Sequence, residues 1–97
     1  MANLRIVVVM PAYKSDEHIL GVLKRIPKPI TRVIVVDDSC PNGTGKLVEE
    51  KVSDGRVKVV FNEHNLGVGG AVIIGFKEAL KEDADIIVKI DSDGQMN

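Results

Sequence analysis

Four short runs of β-branched apolar residues place the strongest constraint on how this chain of 97 residues folds. The runs are Leu4–Met10, Arg32–Asp37, Val57–Phe61 and Asp85–Ile90. The first, second and fourth are nearly continuous in apolar side chains rather than alternating with polar ones. The sequence holds 15 Val and 10 Ile but only three aromatic residues. Runs of this kind are typical of parallel strands that helices cover on both faces.

Three stretches with helical periodicity separate these runs. The predicted helices are Asp16–Ile26, Gly45–Ser53 and Gly70–Glu82. Ser15 and Thr44 are placed to serve as the N-caps of the first two helices. The residues of the third helix that we expect to face the sheet are Val72, Phe76, Ala79 and Leu80, with Gly75 on the same face to allow close packing.

The order β-α-β-α-β-α-β predicts an α/β fold, an open parallel sheet of about four strands with alternating helices and right-handed crossovers, as in Rossmann-like proteins. No repeat or linker divides the chain, so residues 1–97 are predicted to form a single domain. Because the polar, acidic segment 91–97 directly follows the fourth strand, we expect the chain to be the N-terminal part of a longer protein. The outer edge of the fourth strand would then be unpaired, which predicts self-association or low stability.

Composition excludes several classes of function. The formal net charge is -1, whereas a nucleic-acid-binding protein that neutralises phosphates is expected to be more basic. No apolar run approaches the roughly 18 residues of a membrane span, and the N-terminus lacks the pattern of a signal peptide. The single cysteine, Cys40, cannot form an internal disulfide, so a reducing, cytoplasmic location is the simplest interpretation.

Polar and glycine residues collect directly after each predicted strand. In an open parallel sheet these positions lie at one edge, where ligands bind. The loops contribute Pro11, Ala12 and Tyr13 after the first strand, Asp37 and Asp38 after the second, Asn65, Gly67 and Gly69 after the third, and Asp91, Ser92, Asp93 and Gln95 after the fourth. We expect them to converge on one site, with Lys14 and His18 left at the solvated surface.

The spacing Asp91-x-Asp93 favours a divalent cation. Carboxylates at i and i+2 of a strand end point the same way and repel each other unless a cation lies between them. Mg²⁺ or Mn²⁺, which prefer oxygen ligands, would join them to a substrate diphosphate, and Gln95 adds a neutral oxygen. The alternative is a solvated acidic turn, because a D-x-D motif alone is a weak signal.

The first three loops offer groups for a nucleotide. Asp37 or Asp38 could accept a hydrogen bond from a ring N–H, which uracil, thymine and guanine carry. The alternative is an Asx-turn toward Ser39. The ring of Tyr13 would stack on the base or else pack against the first helix. Backbone N–H groups of residues 67–70 could approach an anion, although the glycine pattern is not the dinucleotide fingerprint.

Four segments, in this order and spacing, resemble one known family. Pro11-Ala-Tyr13 is similar to the family's P-A-Y-N-E, Val35–Thr44 to V-V-D-D-G-S-x-D-G-T, Asn65–Ala71 to N-x-G-x-G-x-A, and Asp91–Met96 to the D-x-D-x-Q metal motif. Together they resemble glycosyltransferase family 2, the nucleotide-sugar enzymes with the GT-A fold. The resemblance is closest to the dolichyl- and polyprenyl-phosphate sugar transferases and the surface-polysaccharide enzymes.

The chain departs from the family pattern in two places. Lys14 and Ser15 stand where the pattern has Asn-Glu, so a nucleotide contact by that Glu is absent here. Ser39 replaces the Gly of the second motif, and Asn42 replaces its later Asp. We expect both changes to tune the loops without removing the site.

The resemblance implies a mechanism and a set of partners. A nucleotide diphosphate sugar of UDP or GDP type would bind at Pro11, Ala12, Tyr13, Asp37, Asp38, Asn65, Gly67, Gly69 and Ser92, and a divalent cation, Mg²⁺ or Mn²⁺, at Asp91, Asp93 and Gln95. A polyprenyl phosphate or a glycan hydroxyl would attack the anomeric carbon with inversion, at the cytoplasmic face of a membrane in a longer parent. The catalytic residue is unknown, because in the family the general base lies beyond residue 97, so the isolated chain is expected to be inactive.

Other functions remain open at this point. A receiver-type phosphoacceptor domain shares the acidic pair and the parallel sheet, but it carries that pair after its first strand, whereas Asp37 and Asp38 follow the second. A sugar-nucleotide pyrophosphorylase would need a glycine-rich loop after the first strand, where this chain has Pro11-Ala-Tyr13. A non-catalytic nucleotide-binding module is the third alternative.

Overall fold

A computed structural model describes residues 4–92 as a four-stranded parallel sheet with helices on both faces. The elements are β1 (Ile6–Ala12), α1 (Ile19–Lys24), β2 (Arg32–Asp37), α2 (Thr44–Lys51), β3 (Val57–Phe61), α3 (Gly67–Lys81) and β4 (Ile86–Lys89). The strand order is β3-β2-β1-β4, and all three pairings are parallel. The predicted α/β architecture, its element order and the bounds of the second and third strands are therefore confirmed.

The two central strands are buried on both faces, as their continuous apolar sequences predict. Alternate residues of β1 and β2 face opposite sides of the sheet. Val8, Met10, Val33 and Val35 pack under α1 and α2 with Ile19, Val22, Leu23 and Val48. Val7, Val9, Ile34 and Val36 pack under α3 with Ala71 and Ala79. The core thus has two layers, and the sheet separates them.

Both predicted N-caps are wrong. Helix α1 begins at Ile19, after a turn in which the Ser15 carbonyl accepts hydrogen bonds from the amides of His18 and Ile19 at 3.0 and 2.9 Å. The side chain of Ser15 points elsewhere and bonds Ser92. Helix α2 has Gly43 as its N-cap, in the left-handed region at φ 70°, and Thr44 is the first helical residue.

Helix α3 packs on the sheet through Gly75 and Ala79, as predicted, but not through Phe76 and Leu80. Its buried residues are Ala71, Gly75 and Ala79, whereas Phe76 and Leu80 are 40% and 64% exposed. Small residues at i, i+4 and i+8 let the helix backbone approach β1, and large side chains would hold it away. The expected close packing at Gly75 is confirmed, since a Cβ there would overlap the side chain of Val9.

Two further features of the fold are its edge strands and the length of its helices. Strand β4 pairs with β1 on one side and forms an edge of the sheet, as does β3 at the opposite end. No helix within residues 4–92 is long and apolar enough to cross a bilayer.

Candidate functional site

A cavity of about 540 Å³ opens at the carboxyl edge of the sheet, between the loops that follow β1 and β4. The chain proceeds from β1 outward to β2 and β3, and α3 then returns across the sheet to β4 on the other side of β1. The order reverses between β1 and β4, and such a switch point leaves a crevice in open α/β sheets. The cavity volume is in the range of small-ligand sites.

Eight of the predicted site residues line this cavity. They are Pro11, Ala12, Tyr13, Asp38, Asn65, Gly67, Asp91 and Ser92. Asp37 and Gly69 are not among the lining residues, and Asp93 and Gln95 lie outside the residues that the structure describes. All four loops, which are distant in sequence, therefore contribute to one cavity, as the parallel topology predicts.

The lining also includes five residues that were not predicted for the site, and two of them, Lys14 and His18, were expected only at the solvated surface. The five residues are Lys14, Ser15, His18, Val68 and Ala71. The signal that could have identified Lys14 and Ser15 is their place in the same loop as Tyr13. His18 follows in the turn that leads into α1, so its position depended on where that helix begins.

Asp37 anchors the start of α2 and does not face the cavity. The residue is 4% exposed, and its two carboxylate oxygens accept hydrogen bonds from the amides of Cys40 and Gly45, both at 2.7 Å. A Cβ at position 45 would lie 2.6 Å from Asp37 Oδ2, so the glycine is needed for this approach. A carboxylate at a helix N-terminus is stabilised by the backbone N–H groups and the helix dipole.

Asp38 points to the opposite face of the sheet and borders the cavity. Its Oδ1 accepts hydrogen bonds from Asn62 Nδ2 at 3.0 Å and from the amide of Leu66 at 2.8 Å. The difference from Asp37 follows from strand alternation: Asp37 continues the row of Val33 and Val35 under α2, and Asp38 continues the row on the α3 side. Asp38 thus ties the second loop to the third at the cavity wall.

The loop after β1 holds Tyr13 at the cavity mouth. The residue is 43% exposed, and Lys14 Nζ lies 5.5 Å from its ring centroid, within range of a cation–π contact. Lys14 adopts φ 54° and Ser39, in the neighbouring loop, φ 58°, both in the left-handed region that non-glycine residues rarely occupy. Such backbone strain is concentrated at functional loops.

Cys40 links these two loops. The amide of Lys14 donates to Cys40 Sγ at 3.0 Å, and Thr44 Oγ1 lies 3.1 Å from the same sulfur. Burial acts to raise the pKa of the Cys40 thiol, but the hydrogen bonds from Thr44, Lys14 and Asn42 outweigh it and hold that pKa below its ordinary value. The sulfur therefore acts as an acceptor that fixes the loop carrying Tyr13.

The third loop turns sharply into α3. Gly67 has φ 78°, a conformation that favours glycine, and its amide donates to Asn65 Oδ1 at 2.9 Å. The N-cap residue, Leu66, makes no side-chain capping bond. The first turn of a 15-residue helix therefore presents its N-terminal end to the cavity wall, where its dipole favours negative charge.

The fourth loop carries the start of the acidic motif. Asp91 borders the cavity, and its Oδ1 lies 3.2 Å from Lys89 Nζ. Ser92 is 6% exposed and donates a hydrogen bond to Ser15 Oγ at 2.7 Å. Within residues 4–92, no three His, Cys, Asp or Glu side chains are grouped closely enough to hold a metal ion. The oxygen donors of the motif are chemically suited to Mg²⁺ or Mn²⁺, with Asp91 the described member.

A parallel α/β sheet with a switch-point cavity lined by these four loops is the arrangement found in the GT-A fold. The chain belongs to glycosyltransferase family 2, since the family described as "Glycosyl transferase family 2" matches residues 7–97. The sequence-based identification of the family and the fold is thus confirmed.

Two relatives illustrate the similarity. The undecaprenyl-phosphate mannosyltransferase of Micrococcus luteus is 34% identical over 94 residues, which span 94% of this chain and 39% of that protein. The UDP-N-acetylglucosamine--dolichyl-phosphate N-acetylglucosaminyltransferase of Methanococcus voltae is 32% identical over 98% of this chain and 43% of its own length. The chain thus spans less than half of these curated relatives.

Solved structures give the same fold. S. aureus TarS 1-349 in complex with UDP-GlcNAc superimposes with a TM-score of 0.77 at 28% sequence identity. The match covers 93% of this chain and 27% of that structure.

Proposed function

We propose that this chain forms the donor-binding part of an enzyme that transfers a sugar from a UDP- or GDP-type nucleotide diphosphate sugar to a lipid-phosphate or saccharide acceptor, with inversion at the anomeric carbon. The observation that carries the proposal is the convergence of Tyr13, Asp38, Asn65 and Asp91, from four separate loops, on one switch-point cavity. Residues 1–97 act as a single nucleotide-sugar-binding unit within a longer enzyme.

The nucleobase binds between the first and second loops. Tyr13 supplies a ring for stacking, and Asp38 supplies a carboxylate that accepts a hydrogen bond from a ring N–H. Asp38 takes this role rather than Asp37, because both oxygens of Asp37 already accept backbone amides. Uracil, thymine and guanine carry the required donor, and a TarS structure with UDP-GlcNAc bound is among the similar folds.

The diphosphate binds between the third and fourth loops. Asp91, Asp93 and Gln95 would hold a divalent cation, Mg²⁺ or Mn²⁺, which offsets the negative charge that builds on the departing nucleoside diphosphate. The N-terminal end of α3, next to Gly67, favours the same anion through its dipole. Lys14, whose Nζ lies 5.5 Å from the centroid of the Tyr13 ring, also lines the cavity and adds positive charge to it.

In the transfer itself, an acceptor oxygen forms a bond to the anomeric carbon from the face opposite the diphosphate. The bond from that carbon to the diphosphate oxygen breaks, and the nucleoside diphosphate leaves with the electron pair. A lipid-phosphate acceptor is favoured by the names of the relatives, which include undecaprenyl-phosphate and dolichyl-phosphate transferases. The reaction would then take place at the cytoplasmic face of a membrane. A general base for a hydroxyl acceptor lies outside these 97 residues, so the isolated chain binds the donor without turnover.

The test is a calorimetric titration with UDP, GDP and ADP, each with Mn²⁺ and with chelator. We expect UDP or GDP to bind in the presence of Mn²⁺ and to bind about tenfold or more weakly to Asp38→Asn, since the lost bond involves a charged acceptor. Asp93→Ala should abolish the effect of Mn²⁺. Asp54→Asn, a carboxylate near the opposite edge of the sheet, is the matched control and should bind like the wild type.

Two outcomes would reject the proposal. Equal affinity for ADP with no dependence on Mn²⁺ would exclude a cation-assisted UDP or GDP site. Uptake of a phosphoryl analogue at Asp37 or Asp38 would indicate a receiver-type domain. That result is not expected, because the amides of Cys40 and Gly45 occupy the Asp37 carboxylate.

The isolated chain is also proposed to self-associate through a sheet edge. Strand β4 (Ile86–Lys89) pairs only with β1 among the described residues, and its Ile86 side chain is 41% exposed. Unpaired strand edges invite pairing with a second copy. Light scattering over a range of concentrations should detect dimers or larger species, and a monomer that persists at high concentration would contradict this.

A further inference from the structure

A buried pair of hydroxyl groups joins the two loops that flank the switch point. Ser92 Oγ donates to Ser15 Oγ at 2.7 Å across 77 residues of sequence, and the two residues are 6% and 5% exposed. Ser15 follows β1 and Tyr13, whereas Ser92 is the middle residue of the Asp91-Ser92-Asp93 motif. Among side-chain pairs within residues 4–92, this bond connects the nucleotide loop directly to the acidic loop.

Ser15 provides a fixed point for that bond. Its carbonyl accepts the amides of His18 and Ile19, which holds its backbone at the start of α1. The next residue is also held, because Asp16 Oδ1 accepts a hydrogen bond from Asn42 Nδ2 at 3.0 Å. The backbone that carries the Ser15 hydroxyl is therefore held by the start of α1 and by the second loop.

Ser92 lies at the point where the acidic motif leaves the sheet. The amide of Ile90 donates to the carbonyl of Val9 at 3.1 Å, which ties the end of β4 to the central strand. After β4 ends, Ser92 follows Asp91 and precedes Asp93 in the sequence. Lys89 Nζ lies 3.2 Å from Asp91 Oδ1, and the hydrogen bond from Ser92 to Ser15 holds the residue next to Asp91 at the cavity.

We propose that Ser15, acting through Ser92, is a positioning residue that holds Asp91 at the cavity, ready for a divalent cation. The inference rests on the cation site of the proposed function. An anchored motif binds its cation without first losing the conformational freedom of the loop, and preorganisation of this kind raises affinity. Ser15 stands where the family pattern has Glu, so the anchor here is a short neutral hydroxyl that adds no further negative charge near Asp91.

The experiment compares Ser15→Ala, Ser92→Ala and the double variant, with Ser15→Thr as a variant that keeps the hydroxyl. Ser53→Ala, an exposed serine near the opposite edge of the sheet, is the matched control. Three quantities are measured for the 97-residue chain: the Mn²⁺ affinity from the paramagnetic signal of free Mn²⁺, the UDP and GDP affinities in chelator, and the thermal midpoint.

We expect each single alanine variant to weaken Mn²⁺ binding about fivefold, the factor that corresponds to one hydrogen bond. The double variant should be no weaker than either single variant, because both changes remove the same bond. Nucleotide affinity in chelator should change less than about twofold, and Ser15→Thr should retain most of the Mn²⁺ affinity. A bond with a merely structural role would lower the thermal midpoint and leave the Mn²⁺ affinity of the folded protein unchanged.

One result would overturn this inference and leave the proposed function intact. In that result the wild-type chain binds both Mn²⁺ and nucleotide, and the alanine variants bind Mn²⁺ as tightly as the wild type. Additive losses in the double variant would also overturn it, because the two hydroxyls would then act separately. A wild-type chain that binds no Mn²⁺ would instead reject the cation site itself, and the inference with it. If Ser15→Ala does not fold, Ser92→Ala and Ser15→Thr carry the same comparison.

Discussion

Adding one methyl group at Gly75 should test the packing of α3 on the sheet more sharply than any other single change. A Cβ at this position would overlap the side chain of Val9 and lie 3.3 Å from Val36 Cγ2. Val9 is fully buried on β1, which is paired with β2 on one side and β4 on the other. Neither the strand nor the valine can move away without disturbing the rest of the sheet.

The magnitude follows from two opposing effects in Gly75→Ala. Alanine is favoured over glycine inside a helix by about 1 kcal/mol. Overpacking a close-packed core costs about 1–3 kcal/mol. At Gly69, in the same helix, an added Cβ would have nothing within 4 Å, so Gly69→Ala gains the helix preference without the overlap. The difference in unfolding free energy between the two variants therefore isolates the overpacking, and we expect it to be about 2 kcal/mol.

The assay is urea and thermal denaturation of the wild type, Gly75→Ala and Gly69→Ala, followed by circular dichroism. For a domain of this size, about 2 kcal/mol corresponds to roughly 10 °C in thermal midpoint. We expect Gly69→Ala to unfold above Gly75→Ala by that margin. If Gly75→Ala is as stable as Gly69→Ala, the helix does not approach β1 as closely as described, and the explanation for the exposed Phe76 is refuted.

Three further predictions concern loops and ion pairs. Cys40 should react with iodoacetamide with a pH midpoint below that of a free thiol, because hydrogen bonds from Thr44 and Lys14 lower its pKa; a midpoint unchanged by Thr44→Val would contradict this. Hydrogen bonds from Arg56 lower the pKa of Asp54 in the folded protein. Its contribution to stability is therefore present above the pKa of the unfolded state and is lost as the pH falls through the pKa of the folded state. The thermal midpoint of Asp54→Asn should accordingly fall less on acidification than that of the wild type. Ser39→Gly should raise stability by about 0.5–1 kcal/mol, because φ 58° is strained for serine, and denaturation curves with no rise would count against that strain.

Much of the fold could be predicted because its signals are local. The bounds of the apolar runs Arg32–Asp37 and Val57–Phe61 coincide with those of β2 and β3. Their alternation with helical stretches then predicted parallel pairing, and parallel pairing predicted that the loop residues would meet at one edge. The cavity position follows from these steps without any detail of side-chain packing.

The orientation of helix α3 about its axis and the separate roles of Asp37 and Asp38 were harder to predict from the sequence. The phase of α3 was assigned from its largest apolar residues, Phe76 among them, although the distance between helix and sheet is limited by the smallest residues on the contact face. The two aspartates are adjacent and chemically identical, and they differ only because successive side chains of β2 point to opposite faces of the sheet. Right-handed crossovers predict which face of the sheet α2 covers, and the alternation of side chains along β2 then places Asp37 on that face. The sequence was therefore sufficient to distinguish Asp37 from Asp38.

The strand order β2-β1-β4 also sets the distance between the loops that follow β2 and β4. Neighbouring strands are held about 4.8 Å apart by backbone hydrogen bonds, so the loops after β2 and β4 emerge roughly 10 Å from each other whatever side chains they carry. The span between the loop that carries Asp38 and the loop that carries Asp91 is therefore set by the main chain and is insensitive to substitution. A ligand that contacts both loops must span this distance, and replacing the loop side chains does not change it.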